Sequence, residues 1–112
     1  MFARRATNDD VDLILEIFNA HQMQVAPNLG TNGVDWALDF IQGYPEPYQA
    51  WLLSDTEDSI PFAIGNLNPS SNAKRFMADI SIRPEVDRLE EVITFFRKEA
   101  EEFAAGWAFW IS

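Results

Sequence analysis

The sequence predicts a single α/β domain of mixed type (α+β), with a mixed sheet and the element order β-α-α-β-β-β-α-β. Hydrophobic residues make up 47% of the chain and include nine Phe, four Trp and two Tyr, enough apolar surface to form a core. Some segments repeat apolar residues every three or four positions, which predicts helices, and others alternate, which predicts strands. At 112 residues the chain is long enough for one domain, residues 1–112, and too short for two.

The first predicted elements are a short strand over residues 2–6 and a helix that Thr7 caps. Three residues that suit the positive end of a helix dipole follow the cap: Asn8, Asp9 and Asp10. Apolar side chains then recur at helical spacing, at Val11, Ile14, Leu15 and Phe18. The helix is expected to end near Ala20 or His21.

A loop and a second helix are predicted next. Residues Gln22–Gly33 contain one Pro, two Gly and two Asn, a composition that breaks regular structure. The helix that follows begins near Val34, carries Trp36 and Phe40 on its flank, and stops at Gly43 before two prolines.

Three strands are predicted in the middle of the chain. Tyr48–Asp55 and Phe62–Pro69 are rich in residues that favour strands, and the short segment between them indicates an antiparallel hairpin. Phe76–Arg83 alternates apolar with more polar residues, which indicates a third strand with one apolar face.

The end of the chain predicts a long helix and a final strand. Glu85–Ala105 is rich in helix formers and places most of its charged residues opposite an apolar face. Gly106 supplies a stop, and Trp107–Ser112 has high β-propensity. A strand that follows its predecessor through a helix pairs with it in parallel, so a parallel crossover is expected.

The last strand carries large aromatic side chains on both faces. Trp107 and Phe109 point one way and Trp110 the other, so a strand at the sheet edge exposes at least one large ring and invites pairing. The alternative is that helices cover both faces of this strand.

The segment from Phe76 to Ser112 resembles the acetyl-CoA-binding core of the GNAT N-acetyltransferases. In that family the link from strand to helix reads roughly hydrophobic-x-P-x-x-R/Q-x-x-G-x-G/A, and its glycines let backbone N–H groups close around the pyrophosphate. Here the link reads IRPEVDRLEEV, and no glycine lies between Gly65 and Gly106. Acidic residues occupy the positions expected to receive phosphate: Glu85, Asp87, Glu90 and Glu91. The family pattern continues with a further helix and two strands, so a shortened domain is expected.

The resemblance also implies site residues. It places the pantetheine of acetyl-CoA beside the strand residues Ile80, Ser81 and Ile82, with Asp79 as a nearby carboxylate able to take a proton. In a divergent enzyme Arg83 and Arg88 flank the altered link and hold the phosphates, and Tyr48 is a candidate general acid. A plainer interpretation pairs Asp79 with Arg83 or Lys74 on the protein surface.

Histidine and cysteine usage limits the other chemistries. Without cysteine there is no disulfide, thiolate nucleophile or thiol-ligated metal site. The single histidine, His21, makes no catalytic triad and is expected to interact with the carbonyl groups that end its own helix. No metal site is predicted.

The charge balance limits the partners. Eighteen acidic and eight basic residues leave a formal charge of −10, which repels nucleic acid and anionic membranes. The acidic residues are spread along the chain, as on a solvated surface. With no apolar segment typical of a signal peptide or membrane span, the expected location is the cytoplasm, or the inside of a virion if the protein comes from a phage.

The favoured hypothesis is a non-catalytic acetyltransferase-like protein that binds no cofactor and acts through protein–protein contacts, such as a phage structural or accessory protein. It predicts a protein partner or self-association through Trp107–Ser112. The first alternative is a divergent acetyl-CoA-dependent N-acetyltransferase. The second is an acidic inhibitor that mimics nucleic acid on a host enzyme.

Overall fold

A computed structural model describes residues 1–42 and 50–111 of the chain. The described part contains five strands and three α-helices in the predicted order. They are β1 (Phe2–Arg5), α1 (Val11–Val25), α2 (Val34–Gln42), β2 (Trp51–Ser54), β3 (Ala63–Ser70), β4 (Arg75–Ile82), α3 (Leu89–Phe103) and β5 (Ala108–Ile111). Two short 3-10 helices, Asn8–Asp10 and Pro27–Leu29, precede and follow α1. The mixed α/β fold class is therefore confirmed. Among the described residues, no helix is long and apolar enough to cross a membrane.

The strands form one mixed sheet in the order β1-β2-β3-β4-β5. The first three pairings are antiparallel, and β4 pairs with β5 in parallel through α3, as the sequence predicts. The β4–β5 pairing joins Arg75–Ala78 to Ala108–Ile111 and stops there. Along its second half, Asp79–Ile82, β4 has no strand partner on the β5 side within the described residues.

The helices cover opposite faces of the sheet. Alternate residues of each strand point to opposite faces, so two cores form. The core under α3 is centred on Leu67, Phe76, Ala78, Val92 and Phe96. The core under α1 and α2 contains Ile14, Ile17, Ala37, Ile41, Leu52 and Ile64.

Helix α1 ends later than predicted. It continues through Gln22 to Val25, so the expected end near Ala20 or His21 is wrong. Gln22, Met23 and Gln24 favour helix, and the break comes only just before Pro27, whose ring and missing N–H are incompatible with a helix interior.

Helix α3 begins later than predicted, at Leu89 rather than Glu85. The chain must first turn out of β4, and the backbone N–H of Val86 bonds the carbonyl oxygen of Arg83 at 3.0 Å in that turn. The helix propensity of Glu85 and Val86 is thus overridden by the need to reverse direction. At the other end, Gly106 has a φ of +87°, which confirms its role beyond the helix end.

A short network ties β1 to the start of α1. The Arg4 guanidinium donates two hydrogen bonds to the Asp10 carboxylate, at 2.8 and 2.9 Å, and the Thr7 backbone N–H donates a third at 2.8 Å. The hydrogen bond from Arg4 is the main cause that lowers the pKa of Asp10, and burial opposes it. The folded state therefore favours the ionised carboxylate.

The Asp10 network predicts a loss of stability in acid. Because the folded pKa of Asp10 is lowered, its contribution is complete above the unfolded pKa of about 4 and is lost as the pH falls through the folded value. Asp10→Asn should lower the free energy of unfolding by about 1–2 kcal/mol at pH 7, a modest figure because Arg4 is 42% exposed. Urea unfolding from pH 7 to pH 3 measures this. Asp9→Asn is the control, and a pH dependence unchanged in Asp10→Asn would contradict the assignment.

Gly65 on β3 lies against the ring of Phe96 on α3. A methyl group added there would lie 2.5 Å from the Phe96 ring and 2.9 Å from the carbonyl oxygen of Asp79. Both neighbours are held in place, Phe96 by full burial and Asp79 by the pairing of β4 with β3.

Gly65→Ala should therefore lower the free energy of unfolding by about 2–3 kcal/mol, because the core cannot take the extra methyl group without moving. Gly33→Ala, where the same methyl group would meet nothing within 4 Å, should cost less than about 1 kcal/mol. Urea unfolding of both variants tests the difference. Equal losses would show that Gly65 is not packed as described.

Candidate functional site

A cavity of about 450 Å³ lies between α1, α2 and the sheet. Its polar lining includes Asn66, Asp79 and Ser81 from the strands and His21 from α1, and its apolar wall comes from Phe18 and residues of α2. It brings together Asp79, Ile80 and Ser81, three of the residues that the sequence nominates.

Asp79 is half-buried at the sheet side of this cavity. Its carboxylate accepts a hydrogen bond from the side-chain amide of Asn68, which also lies 3.4 Å from the side-chain oxygen of Asn66. The expected pairing with Arg83 or Lys74 is wrong, because the polar face of β4 turns Asp79 towards Asn68 on β3. Within the described residues the buried side-chain oxygen of Asn68 has no hydrogen-bond partner. Asp79 therefore belongs to a polar cluster on the sheet side of the cavity.

His21 contacts β4 rather than its own helix end. Its Nδ1 lies 3.3 Å from the carbonyl oxygen and 3.4 Å from the backbone nitrogen of Ile82. The expectation that His21 bonds the last carbonyl groups of α1 is wrong, because the helix continues for four residues beyond it. His21 instead lies one turn from the helix end, facing the sheet.

The second half of β4 presents backbone groups to the side that β5 leaves open. The Arg83 N–H bonds the carbonyl oxygen of Phe62 in the register of β3, so the neighbouring Ile82 and Ile80 direct their N–H and C=O groups away from β3. At Ile82, the N–H and C=O groups both lie within 3.4 Å of His21 Nδ1. This is the edge along which the resemblance places a pantetheine chain.

The two nominated arginines lie outside the cavity. Arg83 donates to the Pro61 carbonyl oxygen at 3.0 Å and pairs with Glu16. Arg88 pairs with Asp55 and Glu91, and its guanidinium lies 4.5 Å from the centroid of the Phe62 ring.

Carboxylates dominate the surface at the start of α3. The hydrogen bond that Arg88 donates to Glu91 is the main cause that raises the pKa of Arg88, and Asp55 adds to it. A surface depression around Arg88 is also lined by Asp87, Glu90 and Glu91. Two carboxylates thus pair with the Arg88 guanidinium, and Asp87 and Glu90 line the same depression, at the point where the resemblance expects a phosphate group.

The sequence did not predict that α2 forms one wall of the cavity. Trp36, Asp39 and Phe40 line the cavity, and their spacing places them on one face of the helix. That spacing is visible in the sequence, but it does not reveal that the face meets a cavity. Tyr48, the candidate general acid, lies outside the described residues. Among the described residues no cluster of His, Asp or Glu could hold a metal ion.

The last strand lies at the sheet edge and exposes aromatic surface. Trp110 is 51% and Ile111 45% exposed, and Arg75 stacks over the Trp110 ring at 4.3 Å. Trp107 packs against Phe76 with ring centroids 5.1 Å apart. The prediction that an edge strand exposes a large ring is confirmed.

Comparison with solved structures identifies the fold of this chain. No protein-family model matches the chain, and no curated protein matches it. A GCN5-related N-acetyltransferase from Sphaerobacter thermophilus superposes with a TM-score of 0.69 at 16% identity, covering 92% of this chain and 31% of that one. A ribosomal-protein-alanine N-acetyltransferase from Brucella melitensis gives a TM-score of 0.73 at 11% identity, covering 94% and 70%.

A third solved structure, a putative acetyltransferase (yncA) from Salmonella typhimurium with its cofactor acetyl-CoA, gives a TM-score of 0.65 at 16% identity over 91% of this chain and 64% of that one. This chain thus spans about a third of the first of these structures and about two-thirds of the other two. Identities this low establish a shared fold and leave activity open. The chain therefore has a GNAT-like acetyltransferase fold.

Proposed function

We propose that this chain is a non-catalytic acetyltransferase-like protein that acts through protein–protein contacts and does not bind acetyl-CoA. The observation that carries the proposal is the acidic start of α3. Asp87, Glu90 and Glu91 lie around Arg88, whose guanidinium already bonds two carboxylates. A pyrophosphate placed there meets like charge and must displace existing ion pairs, both of which oppose binding.

The backbone at this point adds a second obstacle. A pyrophosphate site at a helix N-terminus needs glycines so that the N–H groups can approach closely. Here each residue from Glu85 to Glu91 carries a side chain beyond Cβ. The remaining positive end of the helix dipole already interacts with Glu90 and Glu91 in the first turn.

The exposed edge of β5 supports contact with another chain. An edge strand offers unpaired backbone groups, and β5 contains no charged residue that would block pairing. In a molecule with a formal charge of −10, an uncharged edge is the part of the surface where two copies repel least. We propose self-association through β5 as the first contact to test.

A divergent acetyl-CoA-dependent N-acetyltransferase is the second candidate. The edge of β4 that β5 leaves unpaired at Ile80 favours it, as does the cavity that Asp79 and His21 line. In such an enzyme Asp79 takes a proton from the amine and Arg88 leaves its carboxylates to hold phosphate. Asp79 lines the cavity, whereas Arg88 lies outside it at the start of α3.

Calorimetric titration with acetyl-CoA separates the two candidates. We expect no binding heat with the unmodified chain. Binding should become detectable in a variant that removes three charges, Asp87→Asn, Glu90→Gln and Glu91→Gln, because the like charge is then gone. Micromolar binding to the unmodified chain that Arg88→Glu abolishes would overturn the proposal and establish the cofactor site of the enzyme.

Sedimentation equilibrium tests the β5 contact. We expect a mass above one chain, and Ile111→Lys should weaken the association about tenfold or more because it buries a charge at the edge. Ile60→Lys is the matched control, since Ile60 is 77% exposed in the loop between β2 and β3, at the other end of the sheet. A single-chain mass at 100 μM, roughly the range in which weak dimers form, contradicts the assignment.

A further inference from the structure

We propose that the cavity between α1, α2 and the sheet binds a methylated ammonium cation, such as the trimethylammonium group of choline. The inference is independent of acetyl-CoA binding and of acetyl transfer. It rests on the lining of the cavity, which combines a wall of aromatic rings with two carboxylates.

The aromatic wall is built by three rings from two helices. Trp36 on α2 lies 4.0 Å from Phe18 on α1 and 5.4 Å from Phe40, measured between ring centroids, and all three line the cavity. The face of an aromatic ring carries negative charge density and attracts a cation placed within about 6 Å, tryptophan most strongly. The contacts among the rings fix the wall before any ligand arrives.

The charges around the cavity have the matching sign. Asp39 extends from α2 beside the rings, and Asp79 lies across from them on β4. Among the described residues that line the cavity none is Lys or Arg. A chain with a formal charge of −10 also raises the local concentration of cations at its surface.

The aromatic wall favours a methylated nitrogen over a primary amine. A primary ammonium brings three N–H donors that each need an acceptor. The rings of Phe18, Trp36 and Phe40, which line one side of the cavity, supply none. N-methyl groups need no acceptors, make van der Waals contact with the rings, and still respond to the two carboxylates.

The size of the cavity suits a small ligand. Its volume of about 450 Å³ falls within the range of about 300–1,000 Å³ that is usual for small-molecule sites. A trimethylammonium group fills part of it and leaves space for a short substituent. The ligand class is thus a small molecule with a methylated ammonium head.

The test compares choline with its neutral isostere, 3,3-dimethylbutan-1-ol, in which carbon replaces nitrogen. Both are titrated into the ¹⁵N-labelled chain at pH 8, and shifts of the indole N–H signals report binding. We expect choline to bind at least about fivefold more tightly than the isostere and than ethanolamine, a primary ammonium. Equal affinities, preference for ethanolamine, or no binding of choline would each overturn the proposal.

Three variants locate the site. Trp36→Leu keeps an apolar side chain but removes the ring face, and Asp39→Asn removes one charge; each should weaken choline binding about fivefold. Asp35→Asn, one turn before Asp39 and exposed, should leave the affinity unchanged. Circular dichroism confirms that each variant is folded. A loss in Asp35→Asn as large as in Asp39→Asn would overturn the assignment to the cavity, leaving only an overall charge effect.

Discussion

Strand β4 is bonded along its whole length to β3 but only along its first half to β5, and the rest of the structure depends on this unequal pairing. The paired half supports the parallel crossover through α3. The open half leaves the backbone groups of Ile80 and Ile82 facing away from β3, and His21 Nδ1 lies within hydrogen-bonding distance of those of Ile82. The cavity, the unpaired edge of β4 and the start of α3 thus all lie around the second half of β4. Gly65, opposite Ile80 on β3, lets the Phe96 ring approach the same place from the other face.

The sequence predicts the order and type of every described α-helix and strand because hydrophobic periodicity is a local signal. It misplaces the end of α1, which continues to Val25 just before Pro27, and the start of α3 at Leu89, where the turn out of β4 overrides helix propensity. Asp79, which the family resemblance nominates, lines the cavity. The partners of Asp79 and His21 could not be predicted, because Asn68 and Ile82 lie 11 and 61 positions away along the chain. The spacing of Trp36 and Phe40 predicts that they share one face of a helix, but it does not reveal that this face lines a cavity.

Two surfaces near the second half of β4, the start of α3 and the cavity, differ in charge and chemistry. At the start of α3 the arginines are held by carboxylates, so that part of the surface offers neither free cations nor close backbone N–H groups to an anion. Inside the cavity, aromatic rings and carboxylates make an environment that suits cations instead. One solved structure with this fold holds acetyl-CoA, whereas the cavity of this chain is lined by two carboxylates and, among the described residues, by neither Lys nor Arg.

One small contact joins the two helices that line the cavity. The Asn19 side chain on α1 accepts a hydrogen bond from the Asn32 backbone N–H at 2.9 Å and donates one to the Asn32 carbonyl oxygen at 3.2 Å. A side-chain amide here mimics the two-bond pairing of neighbouring strands and ties the connecting loop to α1 just before α2 begins. The position of the first turn of α2, which carries Trp36, is therefore set in part by two residues that do not line the cavity themselves.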